Sequence, residues 1–215
     1  MTTPPAAPKI YHIVHHDKLA SIINGGHLFS DAMIRTMTLG GTTIGMGDIK
    51  TARLSLPVKC HSGCMVGDFV PFYFCPRSIM LYLIWRANHP NLTYRGGQTP
   101  IVHLEADLYE VLRWANAQQR RWAITTSNAG ARYTAFYSSE ADLSQINWAA
   151  VDAGLWTDGA IREAKQSEFL LHSAFPWGLV RRIGVHSMAV YSVVNNIVGQ
   201  ATHRPKIEIM PDWYY

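Results

Sequence analysis

The sequence predicts an α+β protein, and three observations carry that reading. Strand-like and helix-like stretches follow one another without a regular βαβ rhythm, which argues against a doubly wound parallel sheet. The 215 residues suit one domain with room for a full core. Apolar residues make up 48% of the chain and charged residues 16%, a globular balance that argues against disorder over most of its length. The start, MTTPPAAPK, lacks the apolar segment of a signal peptide. We therefore expect a disordered leader over 1–8 and a single domain over 9–215.

Ile10 to His15, IYHIVH, alternates as a first strand. Asp17 is placed to cap the short amphipathic helix LASIIN, and Gly25-Gly26 ends it, because glycine takes the left-handed C-terminal conformation at least cost. HLFSD continues extended. Residues 36–48, TMTLGGTTIGMGD, keep no hydrophobic period and read as a mobile loop. Asp48 can cap a helical turn that runs through Lys50 and Arg53. FVPFYF (69–74) is a strand stopped by Cys75-Pro76, and Ser78 then caps the helix SIMLYLIWRA. The stretch from His89 to Pro100 is a surface loop. IVHLEAD (101–107) is a strand, followed by the amphipathic helix LYEVLRWANAQQ. RWAITTS and RYTAFYS are strands around the loop SNAGA. DLSQINWAAVDA reads as helix, EFLLH and VRRIGVHS as strands, SMAVYSVVNNIVGQ as helix, and KIEIM as a last strand before an aromatic tail.

Nineteen Lys and Arg against fifteen Asp and Glu leave a formal charge of +4. That permits an anionic partner such as a nucleotide or a nucleic acid without demanding one. Three cysteines, Cys60, Cys64 and Cys75, form an odd set that points to a reducing cytoplasm rather than to disulfides. The longest apolar run, FVPFYFCPRSIMLYLIW, is broken by two prolines and an arginine, so no membrane span is expected.

Several familiar chemistries lack their motifs. The glycines of 40–47 fit neither GxxxxGK[ST] nor a strand-linked GxGxxG. Cys60-His61-x-x-Cys64 offers thiolate and imidazole, but the spacing is not that of a zinc knuckle and no fourth ligand is evident, so no metal is expected. No GxSxG marks a nucleophilic serine. What stands out is AKQSEFLLH, where Glu168 sits directly against an apolar run. A carboxylate there is costly unless something pairs with it or uses it. His12, Arg53, Tyr73 and Arg162 are further candidates, each with an ordinary structural reading beside the functional one.

Taken in order, these pieces resemble the DarT family of DNA ADP-ribosyltransferase toxins. YHIVHHDKLASIINGGHLFSD is similar to the family's opening histidine strand, helix and Gly-Gly-Leu. GDIKTARLSLPV is similar to its I-K-x-x-R piece. GDFVPFYFCPRSIMLYLI is similar to its V-P-F-Y-F-x-x-R-S-x-M-L piece, and SNAGA and AKQSEFLLH complete the order. Val14 and Lys18 depart from the family's threonine and asparagine.

The resemblance implies an ADP-ribosyltransferase fold, a split β-sheet core with NAD⁺ in its cleft and flanking helices. It implies transfer of ADP-ribose from NAD⁺ to a base of single-stranded DNA, thymine more commonly than guanine. Transfer to an RNA or protein acceptor, or a binding module without turnover, are the alternatives. It implies Glu168 and Arg53 as catalytic residues and His12, Tyr73 and Arg162 as residues that bind NAD⁺. Lys50, Arg121, Asn128, Arg132 and Tyr133 are the expected DNA contacts, with Arg120 in the same segment. A macrodomain antitoxin of the DarG type is the implied protein partner, and the chain is expected to be a cytoplasmic monomer. Breaking the nicotinamide–ribose bond passes through an oxocarbenium-like transition state. A fixed carboxylate stabilises that charge best where water is excluded.

Overall fold

The computed structural model describes residues 2–37, 40–131 and 133–215. The chain opens with β1 (Lys9–His15), α1 (Leu19–Gly25), β2 (His27–Phe29), α2 (Asp31–Ile34) and α3 (Gly47–Arg53). β3 (Phe69–Tyr73), α4 (Ile79–Arg86), β4 (Ile101–Asp107), α5 (Leu108–Ala117), β5 (Trp122–Thr125) and β6 (Phe136–Tyr137) follow. The last part holds α6 (Trp148–Asp152), α7 (Gly159–Ala164), β7 (Glu168–His172), β8 (Ala174–Pro176), β9 (Arg182–Val185), α8 (Met188–Val198) and β10 (Lys206–Ile209).

Eight strands pair in the order β10-β9-β4-β1-β3-β7-β5-β6, and β2 pairs with β8 as a separate two-stranded sheet. β1 is in register with β4 from Lys9↔Asp107 to His15↔Ile101, and β3 with β7 from Phe69↔His172 to Tyr73↔Glu168. Between β1 and β3 the register holds at one pair, Tyr11↔Tyr73. The large sheet is therefore two half-sheets joined along a thin seam, which is the split core expected from the resemblance. The His12 ring crosses that seam, its Nδ1 2.7 Å from the Pro71 carbonyl oxygen.

The apolar faces of the half-sheets meet in one core. Ile10 and Leu104 pack with Phe72, Phe169 and Phe175, and Val111 and Leu112 of α5 and Val194 of α8 join the same cluster. Burying side chains of this size stabilises a fold by about 1.5–3 kcal/mol each. The caps follow the residue types. Ser78 Oγ accepts from Leu81 N at 3.2 Å, Asp107 caps α5 through Glu110 N at 3.0 Å, and Gly26 ends α1 with φ +68°.

Five local expectations are corrected. Asp17 does not cap α1, whose N-cap is Lys18 without a side-chain bond; its carboxylate instead takes Thr42 N at 3.0 Å and Thr42 Oγ1 at 2.7 Å. The glycine- and threonine-rich stretch is accordingly tied down over its described C-terminal part, where Ile44 and Met46 are buried against Leu81 and Ile84. Asp48 lies inside the first turn of α3 and accepts from Asn91 Nδ2 at 2.7 Å, while Met46 is the N-cap. Of RYTAFYS, whose Arg132 lies outside the described residues, Phe136–Tyr137 forms the strand, β6, paired with β5 at Ile124↔Tyr137 and Thr125↔Phe136. DLSQINWAAVDA breaks into a 3₁₀ turn over Glu140–Gln145 and the short α6. Apart from these five, two contacts join the first residues to the domain: the Thr2 hydroxyl donates to the Ile146 carbonyl, and the Pro8 carbonyl accepts from Leu108 N at 3.0 Å.

Candidate active site

The carboxylate that opens β7 has its partners. Glu168 is 1% exposed, and its backbone N–H donates to Thr125 Oγ1 at 2.9 Å. Its side chain accepts from Arg53 Nη1 at 3.1 Å on Oε1 and from Arg53 Nη2 at 2.9 Å on Oε2, a bidentate pair. Oε1 also accepts from the backbone N–H of Ala129 at 2.9 Å. Arg53 is the last residue of α3 and is itself buried. Burial works against its charge, but Glu168 outweighs that and raises the guanidinium pKa above its ordinary value. Ala129 belongs to the SNAGA loop, which is braced by Thr125 Oγ1 donating to Ser127 O at 2.7 Å and by Gly130 N donating to Asn128 Oδ1 at 2.8 Å.

In front of this pair lies a cavity of about 330 Å³, within the range of a site for a small ligand. His12, Lys18, Lys50, Arg53, Tyr73 and Met80 are among its lining residues. Glu168 itself is one side chain deeper, behind Arg53. A carbonyl only accepts, so the 2.7 Å contact with Pro71 O requires the proton on His12 Nδ1 and leaves Nε2 a bare acceptor. Burial, only partly opposed by that hydrogen bond, pulls His12 down to about 4, so the ring is neutral near pH 7. Burial first, and the Glu168 charge second, keep the Tyr73 phenol protonated. Lys50 Nζ pairs with Asp31 Oδ1 at 2.6 Å. Burial and then the nearby Lys50 lower the Lys18 pKa, so two cationic stems converge on one wall. Gly41, at φ +104°, packs against that wall, where a Cβ would lie 2.6 Å from Lys18 Cγ.

Of the residues singled out in the sequence, the structure brings His12, Lys50, Arg53, Tyr73 and Asn128 to the cavity, with Glu168 directly behind. Arg162 is exposed on α7 and outside the lining. Arg120 and Arg121 are also exposed, and Arg121 Nη1 donates to Cys64 Sγ at 2.9 Å. Tyr133 is 86% exposed, and Arg132 lies outside the described residues. Cys60, Cys64 and Cys75 are free thiols, and His61 donates from Nε2 to Trp122 O at 2.8 Å. Among the described residues no group of three His, Cys, Asp or Glu side chains is placed to hold a metal ion. Two features went unread in the sequence. The Ala129 N–H carries no side-chain signal at all, and the Asp17–Thr42 clasp joins residues whose local patterns suggest a cap and a loose loop.

Comparisons with known proteins place the whole chain among described relatives. The family model described as ssDNA thymidine ADP-ribosyltransferase, DarT, matches residues 11–215. The DNA ADP-ribosyl transferase of Thermus sp. (strain 2.9) is 35% identical over 216 residues, spanning 99% of both chains. Among solved structures, Thermus sp. 2.9 DarT in complex with ADP-ribosylated ssDNA matches with a TM-score of 0.89 at 34% identity, over 100% of this chain and 99% of that one. The same protein in complex with NAD⁺ matches with a TM-score of 0.82 at 33% identity, over 99% and 100% of the two chains.

Proposed function

The chain belongs to the DarT family of single-stranded-DNA thymidine ADP-ribosyltransferases, and from that premise we propose how its own residues carry the reaction. It is an NAD⁺-dependent DNA ADP-ribosyltransferase that acts on thymidine in single-stranded DNA. The single observation that carries this conclusion is the family match over nearly the whole chain.

The cavity suits NAD⁺: two lysine stems face one wall, and His12 presents an acceptor without a proton. When bound, NAD⁺ supplies the ADP-ribosyl group, with nicotinamide as the leaving group that takes the electron pair of the broken bond. In our reading Lys18 and Lys50 meet the diphosphate charge. His12 Nε2 accepts from a ribose hydroxyl, and the Tyr73 ring walls the nicotinamide side. Glu168 stabilises the positive charge that develops on the donor ribose, in a setting where water is excluded. Arg53 holds that carboxylate in place and offers its cation to the acceptor base. If thymine N3 is the attacking atom, the guanidinium favours its anion by charge and hydrogen bonding and never acts as a base itself. Asn128, beside Arg53 on the lining, and the exposed Arg120, Arg121 and Tyr133 are offered as DNA contacts. Arg162, exposed on α7, takes no part in the scheme.

We extend the reading to a single domain over 9–215, acting as a cytoplasmic monomer and restrained by a macrodomain antitoxin. The scheme uses no metal ion. Among the described residues no helix is long and apolar enough to cross a membrane. Mass spectrometry of oligonucleotides incubated with protein and NAD⁺ tests the proposal, using one oligonucleotide without thymine and one without guanine. Addition of one ADP-ribose that needs thymine and Glu168 is the expected result. Addition that survives Glu168→Ala would remove the carboxylate from the scheme.

A further inference from the structure

We propose that the outer side of α4 is a stacking platform for unpaired bases of the DNA strand that flank the reacting thymidine. The inference rests on the DNA-directed function proposed above and adds a surface which that function does not use. Four rings gather there. Tyr82 lies 4.7 Å from Trp156, 5.2 Å from Tyr215 and 5.7 Å from Trp85, measured between ring centroids, and Trp85 stacks on Tyr215 at 5.9 Å and 29°. Trp85 is 44% exposed, although a ring this large gains much from burial. Two exposed cations border the rings: the Arg77 guanidinium sits 4.5 Å from the Tyr215 centroid, and that of Arg86 5.6 Å from Trp85. Among the described residues neither arginine pairs with a carboxylate. Aromatic faces beside unpaired arginines are the chemistry that holds single-stranded nucleic acid, the rings taking bases of any sequence and the cations taking phosphates.

The platform is rigid and continuous with the site. Tyr215 is pinned by its N–H donating to Gln98 Oε1 at 3.0 Å and its hydroxyl donating to Arg77 O at 2.9 Å, so little freedom is given up on stacking. The opposite face of α4 carries Met80 and Leu83 into the cavity. At about 100° per residue, Arg86 falls between the two faces, where a phosphate passing from one to the other would meet it. The helix is about 10–12 Å across, roughly two nucleotides of unpaired strand. A strand with its thymidine at the cavity therefore reaches the platform with its next nucleotides.

The test compares two thymidine substrates by steady-state kinetics with wild type, Trp85→Ala and Trp85→Phe: a trinucleotide whose central thymidine leaves one flanking residue on each side, short of the roughly two that cross the helix, and an oligonucleotide of about twenty residues. We expect Trp85→Ala to raise KM for the long substrate about tenfold, the scale of removing one base–ring stack, with kcat unchanged and the trinucleotide unaffected. Trp85→Phe should recover most of that effect. Arg77→Gln combined with Arg86→Gln should flatten the salt dependence of long-substrate binding, by about 0.7 in the log–log slope for each phosphate that is no longer neutralised. Equal KM for wild type and Trp85→Ala on the long substrate overturns the proposal, as does an equal rise on both substrates. An unchanged KM with weakened inhibition by a macrodomain antitoxin would assign the surface to a protein partner instead. If wild type modifies no oligonucleotide, the DNA-directed reading fails and this inference fails with it.

Discussion

Removing Arg53 should destabilise this enzyme far more than removing an ordinary surface arginine, and the structure sets the scale. In Arg53→Ala the Glu168 carboxylate, 1% exposed, loses both guanidinium bonds. Among the described residues, only the Ala129 N–H is left bonded to it, on Oε1. Breaking a buried ion pair by deleting one partner costs about 3–5 kcal/mol, because the other charge stays buried without compensation. In a domain of this size each kcal/mol shifts Tm by about 2–4 °C, which makes the expected drop roughly 6–20 °C. Adding Glu168→Gln to Arg53→Ala replaces the stranded charge with an amide that still accepts from Ala129. The double variant should therefore melt above Arg53→Ala alone, with a coupling energy of about 1–3 kcal/mol. Thermal melts of the four proteins in the cycle, followed by circular dichroism without NAD⁺, measure this directly. An Arg53→Ala melt within about 2 °C of wild type, or strictly additive single effects, would refute the buried-pair argument.

Three further outcomes follow from the site and the core. Glu168→Gln should lower ADP-ribosyl transfer by at least about 10²-fold while NAD⁺ still raises its Tm, since one placed charge of this kind is worth that much; retained activity would count against the assignment. His103 is fully buried and held down to about 4 from an ordinary 6.5, chiefly by burial. A histidine with a depressed folded pKa contributes stability that is complete above about 6.5 and is lost as pH falls towards about 4, up to about 3 kcal/mol here. Denaturant titrations across that window should show the decline in wild type and a shallower slope in His103→Gln; parallel slopes would contradict it. Gly41→Ala forces a Cβ against Lys18 at a positive φ, so it should raise KM for NAD⁺ several-fold and leave the melt of the core little changed. An unaltered KM would separate the Asp17–Thr42 clasp from dinucleotide binding.

The residues explain how much of this was legible beforehand. β1, β3 and α4 announce themselves, because an alternating apolar strand, a strand stopped at Cys75-Pro76 and a serine cap at Ser78 are local signals. The short helices α2 and α7 were not legible. Each is four to six residues long, and a single polar cap before so few residues reads equally well as a loop. At the site, Glu168 betrayed itself as a misplaced charge, but its partner Arg53 is 115 residues away, a separation no periodicity spans. The third donor to that carboxylate is a backbone N–H, which every residue but proline possesses. Asp17 was legible as a carboxylate with local work to do. Tertiary packing then gave it Thr42 in place of the first turn of α1.

The thin seam between β1 and β3 bears on when such a protein becomes dangerous. Neither half-sheet is a continuous piece of sequence: the chain passes from one to the other four times, the last time to bring β9 and β10 to the outer edge. His12 arrives with the first strand and Glu168 with the seventh. No fragment emerging from the ribosome can assemble both walls of the cleft until most of the chain has been made. Contacts this distant in sequence also close slowly. A half-made chain therefore lacks one wall of its cleft, and activity waits until translation and folding have brought β7 against β3.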